Sequence, residues 1–133
     1  MIYNRLGQTG IKVSQLCLGT MTFDDGADEA EAAKIYAAAR DKGVNFFDCA
    51  NVYAGGTSEE ILGRLIKSHR EEVVISSKAY FPVDSYAGGG HETWGRGLNR
   101  THLRHAVDAS LKRLGTDYID IYQLHHFDPV TPI

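Results

Sequence analysis

The feature that most restricts this chain is the alternation of short apolar runs with helical repeats. SQLCLGT, VNFFD, EVVISSK and YIDIYQL are compact strand patterns, and helix-forming segments lie between them. Strands joined in this way lie parallel, because a parallel pair needs a long crossover and a helix supplies it. In the first helical segment, DEAEAAKIYAAARDKG, Asp28 is placed to cap the start and Gly43 supplies a left-handed stop. Ala33, Tyr36, Ala37 and Arg40 follow its helical repeat, with the Arg40 stem laid along the apolar face. The second opens on TSEE, where Thr57 and Glu60 have the spacing of a capping box, and Ile61, Leu62, Leu65 and Ile66 line one face. The third is capped by Asn99 and ended by Gly115, with Leu103, Ala106, Val107, Ser110, Leu111 and Leu114 at helical spacing. Ahead of these units, residues 1–14 read as a hairpin turning at QTG, and the βα units occupy 15–133.

Two architectures share this pattern, a doubly wound open sheet and a closed (β/α)8 barrel. A nucleotide-binding open sheet announces itself by G-x-G-x-x-G after the first strand, and LGTMTFDDG does not supply that. The GGG at 88–90 follows the third strand too distantly and lacks a Lys-Ser/Thr ending. The barrel pattern remains, and in a barrel the chemistry sits at the carboxyl ends of the strands. The segment from Tyr80 to Leu98 has no period of either kind and reads as a long loop, with Tyr86 and Trp94 either lining a substrate pocket or anchoring the loop.

The strand exits carry ionisable groups on one rim: Gly19 and Thr20 at the first, Asp48 with Tyr53 beyond at the second, Lys78 at the third, His125 and His126 at the fourth. A free phenol titrates near about 10 and a free lysine near about 10.4, so neither exchanges protons readily at neutral pH. An ammonium beside Tyr53 favours phenolate, and Asp48 fixes Lys78 and keeps it charged. The set makes a general acid able to protonate a developing alkoxide, with a histidine sharing the hydrogen bond to the substrate oxygen.

DCANVYAGGTSEEILG, VVISSK and DYIDIYQLHHFDP resemble the aldo-keto reductase superfamily, whose members carry an Asp, Tyr, Lys and His set on a TIM barrel. The resemblance implies Tyr53 as proton donor, Lys78 and Asp48 as its tuning pair, and His125 as the residue orienting the carbonyl. It also implies that Gly19, Thr20 and Met21, with Asp48, approach the nicotinamide of NADP(H). GRGLNRTHLRHAVDASLKRLGTDYIDIYQLH is most similar to the branch of aryl-alcohol dehydrogenase-like enzymes and potassium-channel β subunits. Cys49 stands where many relatives have threonine, and Met21 where many have tryptophan, which alters the substrate wall and not the proton relay. Leu-His spacing and strand alternation select His125 over His126. A metal site combining the His pair with Asp128 is the lesser alternative, and His102 and His105 read as solvated helix histidines.

A formal charge of −3 gives no field for holding nucleic acid, and no apolar stretch is long enough to span a bilayer, so the expected partner is a small molecule or another protein, and the resemblance implies a small-molecule carbonyl substrate. With two cysteines and no secretory pattern at MIYNRLGQTG, a cytoplasmic setting is expected. A full barrel takes roughly 250 residues, and these 133 end just past the fourth strand. The expectation is therefore a half-barrel, with most of the cofactor's seat beyond Ile133, which self-associates or joins a complementary second half. Three readings compete: an NADP(H)-dependent reductase of aldehydes or ketones, a non-catalytic interaction or cofactor-sensing module, and a metal-dependent barrel hydrolase.

Overall fold

The computed structural model describes residues 1–83 and 94–132. A hairpin pairs β1 (Tyr3–Arg5) antiparallel with β2 (Lys12–Ser14), and Gly10 takes the positive φ of 81° that its turn demands. A four-stranded parallel sheet follows, in the order β3 (Cys17–Gly19), β4 (Phe46–Asp48), β5 (Val74–Ala79) and β6 (Ile121–Leu124). The helices α1 (Glu29–Asp41), α2 (Thr57–Ile66) and α3 (Arg100–Leu114) supply the crossovers. The architecture is α/β with a parallel sheet, as the alternation requires.

Register decides what each face carries. Leu18, Phe47 and Ile75 lie side by side across β3, β4 and β5 and pack with Tyr36 of α1, Leu62 and Ile66 of α2 and Leu114 of α3. Burying each such side chain stabilises the fold by about 1.5–3 kcal/mol. The next positions, Gly19, Asp48, Ser76 and Ile121, are also in register, and Lys78 pairs with Gln123. Their side chains point to the other face, because successive residues of a strand alternate. Helices α2 and α3 meet closely at Gly63, where an added Cβ would stand 2.5 Å from the Leu114 carbonyl oxygen. Any side chain there would force the pair apart.

The caps at Asp28 and Asn99 form, each side chain accepting a backbone N–H, from Glu31 and His102 respectively, at 2.9 Å. The capping box does not: the N-cap of α2 is Gly56 in the left-handed region, without a side-chain bond, and Thr57 is already helical. The chain enters this helix from a tight 3-10 turn, which leaves Thr57 one residue too late to cap. The buried side of α1 is Ala32 and Tyr36, with Ile35 and Ala39 partly buried, whereas Ala37 is exposed. Arg40 is partly buried, and its guanidinium donates to the Val44 carbonyl at 3.2 Å and to Glu72 at 2.7 Å. His102, expected in solvent, is fully buried beneath α3, while His105 is exposed and stacks on Trp94 at 4.8 Å. Trp94 thus sits on α3; Tyr86 and the 88–90 glycines lie outside the described residues.

Candidate active site

The rim begins where β4 ends. Asp48 closes that strand, the chain passes through buried Cys49, Ala50 and Asn51, and Tyr53 opens a 3-10 turn, Tyr53–Gly56. Ala54 and Gly55 have positive φ, 48° and 62°, which folds the turn back over the strand exits. On the neighbouring strand, Lys78 reaches across: its Nζ donates to Asp48 Oδ2 at 2.7 Å, to the Cys49 carbonyl at 2.7 Å and to Tyr53 Oη at 3.2 Å. An ammonium has three protons, and here each has an acceptor. Since Tyr53 Oη accepts from Lys78, its own hydrogen is free to point elsewhere. Burial opposes the charge on Lys78, but the bonds to Asp48 and Tyr53 outweigh it and hold the pKa above the ordinary lysine value.

His125 follows β6, and its ring stands edge-on to that of Tyr53 at 5.9 Å and to Phe81 at 5.3 Å. Burial first, and the charge on Lys78 second, push its pKa below the usual histidine value, so the ring is neutral at pH 7. Its Nδ1 is buried with no hydrogen-bond partner among the described residues. His126 turns away, with Nδ1 2.7 Å from the Phe127 carbonyl and its ring against Tyr80 at 5.0 Å. It lines an apolar hollow of about 400 Å³ with Leu98, Leu103, Leu124 and Phe127, which the four rim residues do not share. Among the described residues no three metal-ligating side chains gather, and Asp128 is engaged with Leu98 N, Val130 N and the Thr131 hydroxyl.

The structure therefore brings Asp48, Tyr53, Lys78 and His125 together. Gly19 and Met21 are on the rim, Met21 60% exposed, and nothing lies within 4 Å of where a Gly19 Cβ would stand. Thr20 differs: it is fully buried, its hydroxyl donating to the Asp48 carbonyl at 3.2 Å and lying 3.0 Å from the Ser58 hydroxyl. It stands behind the rim and supports it. Sequence reading passed over Gln123, whose Nε2 lies 2.5 Å from Ser76 Oγ and 3.4 Å from Asp48 Oδ1. Strand alternation had the signal, because Gln123 is two residues before His125 and points the same way.

Fold and rim together define a class: an α/β protein that gathers a carboxylate, an ammonium, a phenol and an imidazole at the exits of a parallel sheet. The chain belongs to the Aldo/keto reductase family, whose profile matches residues 15–133. It is 42% identical to the "Uncharacterized oxidoreductase YrpG" of Bacillus subtilis over 99% of its own length and 42% of that protein's. It is 43% identical to a "Probable voltage-gated potassium channel subunit beta" of Arabidopsis thaliana, over 100% of this chain and 40% of that one. The holo form of aldo-keto reductase AKR11C1 from Bacillus halodurans superposes with a TM-score of 0.81 at 33% identity, covering 93% of this chain and 40% of that chain. The chain spans less than half the length of these relatives. Both kinds of relative implied by the resemblance, aryl-alcohol dehydrogenase-like and channel β subunit, are among the matches.

Proposed function

We propose that these residues are the proton-donating half of an NADP(H)-dependent reductase acting on aldehydes or ketones. The observation that carries the reading is the three-way bonding of Lys78 to Asp48, Cys49 and Tyr53, with His125 beside the phenol. A nicotinamide dinucleotide, when bound, supplies the hydride. The open space before Gly19 and the exposed Met21 fit a flat ring, which Gly19, Met21 and Asp48 would hold at that edge while Thr20 braces the backbone from behind. Tyr53 gives its phenolic proton to the oxygen that becomes the alcohol. Lys78 stabilises the phenolate left behind, Asp48 keeps Lys78 charged and in place, and neutral His125 orients the carbonyl. The four strands are then half of a (β/α)8 barrel, completed by a second copy or by a complementary second half that seats the cofactor's phosphates and adenine. The free thiols Cys17 and Cys49 accord with a reducing cytoplasm.

The test is NADPH oxidation by simple aldehydes, with Tyr53→Phe as the control. Turnover that persists in the variant sinks the assignment. The channel-subunit relative favours one competing reading, a cofactor-sensing module, for which NADPH binding followed by quenching of Trp94 fluorescence, without aldehyde turnover, is the expected result.

A further inference from the structure

Tyr53 sits on a turn whose backbone bonds, Tyr53 N–H to the Ala50 carbonyl at 3.2 Å and Gly55 N–H to the Val52 carbonyl at 3.0 Å, are not reinforced by a side-chain cap. Val52, which precedes the turn, makes no side-chain cap bond, and Ala54 holds a left-handed conformation that strains a residue with a Cβ. Such a conformation persists where the surroundings over-determine it. The first turn of α2 adds a further constraint. Ser58 is fully buried, with its hydroxyl 2.7 Å from the Thr20 carbonyl and 3.4 Å from Cys49 Sγ. Glu59 is fully buried too: Oε1 accepts the Ser77 hydroxyl at 2.5 Å and Oε2 accepts Arg113 Nε at 2.7 Å. The Arg113 side chain is 7% exposed, and its Nη2 lies 3.3 Å from Ser110 Oγ. Ser77 is the residue before Lys78 on β5.

We infer that the Glu59–Arg113 pair, acting with Ser77, is a positioning device that sets the contact between Tyr53 and Lys78. A buried ion pair is seldom more stabilising than apolar residues of the same volume, because desolvating two charges offsets their attraction. What this one contributes is direction. Glu59 ties the helix that follows Tyr53 to the strand that carries Lys78, and Arg113 fixes the carboxylate's remaining oxygen from α3. Glu59 and Arg113 touch no reacting atom; they act through the two residues that do.

The kinetic part of this inference rests on the reductase reading, so its test has a geometric arm as well. Glu59→Leu with Arg113→Met, introduced into the full-length protein, removes both charges and leaves neither unpaired. The double variant is expected to fold and to lose about 10²-fold in kcat, the scale of a 1 Å misplacement, with KM changed less than about twofold. Its crystal structure is expected to show Tyr53 Oη beyond hydrogen-bond distance of Lys78 Nζ. Unchanged kcat with the Tyr53–Lys78 contact retained overturns the inference. If the parent turns over no aldehyde, the reductase reading fails, and the contact alone decides this one. Should the double variant not fold, Ser77→Ala keeps the charges paired and is expected to lower kcat about tenfold, again with KM steady. An unaltered kcat and contact in that variant also overturn the inference.

Discussion

The two faces of the parallel sheet are made by the same strands and behave as different materials. On one, Phe47 and Ile75 disappear beneath three helices, with Leu18 partly covered beside them. On the other, Asp48, Ser76, Lys78 and Gln123 form a hydrogen-bonded polar row running from β4 to β6. The change occurs between consecutive residues, Phe47 to Asp48 on β4 and Ser77 to Lys78 on β5. Alternation lets adjacent positions serve opposite ends: the apolar set holds the backbone still, and the polar set uses that stillness to keep three acceptors around one ammonium. A site on rigid strands needs little flexibility of its own.

Exchanging the damage between faces tests this division. Tyr53→Phe is expected to lower turnover by about 10²–10⁴-fold, the contribution of a positioned general acid, while costing no more than about 1 kcal/mol in urea unfolding. Phe47→Ala should do the reverse in kind: about 3–5 kcal/mol of lost stability in the same unfolding experiment, because its cavity lies between the sheet and all three helices. A Phe47→Ala protein that unfolds like the parent would break the comparison. The two buried serines sharpen it at closer range. Ser77→Ala strips a donor from a buried carboxylate and is expected to cost about 1–3 kcal/mol, whereas Ser76→Ala, which frees the amide of a solvent-exposed glutamine, should cost about 1 kcal/mol or less. Equal losses would mean that the faces are not distinct at this depth.

Local pattern made much of this legible. The four strands, the caps at Asp28 and Asn99 and the convergence of Asp48, Tyr53, Lys78 and His125 follow from alternation, helix-start chemistry and the rule that barrel chemistry sits at strand exits. What escaped depended on tertiary placement. Thr57 has capping-box spacing, yet the 3-10 turn ahead of it moves the helix start to Gly56, and no spacing rule encodes that turn. Likewise, Thr20 looks like a rim residue until Ser58, distant in sequence, is seen to face it. His102 reads as polar and therefore exposed, but its place on α3 faces the body of the protein. The Glu59–Arg113 pair joins residues with no periodic relation to each other, so only the packing of α2 on α3 reveals it.

The smallest effect expected is in the pH dependence of stability, and it divides the polar face itself. Lys78 has a pKa raised in the folded state, so above its unfolded value of about 10.4 the native form binds more protons than the unfolded one. Its contribution is whole below that pH and is lost as pH rises through the folded value. His125 has a depressed pKa, so the unfolded state takes up a proton first, and stability falls as pH drops below about 6.5. Asp48→Asn removes the acceptor that does most to raise Lys78, and it should flatten the alkaline decline in urea midpoints while leaving the acid limb attributable to burial of His125. The opposite pattern, an alkaline limb unmoved and an acid limb erased, would show that Asp48 acts on the imidazole and not on the ammonium, and the chain of support from carboxylate to lysine to phenol would have to be redrawn.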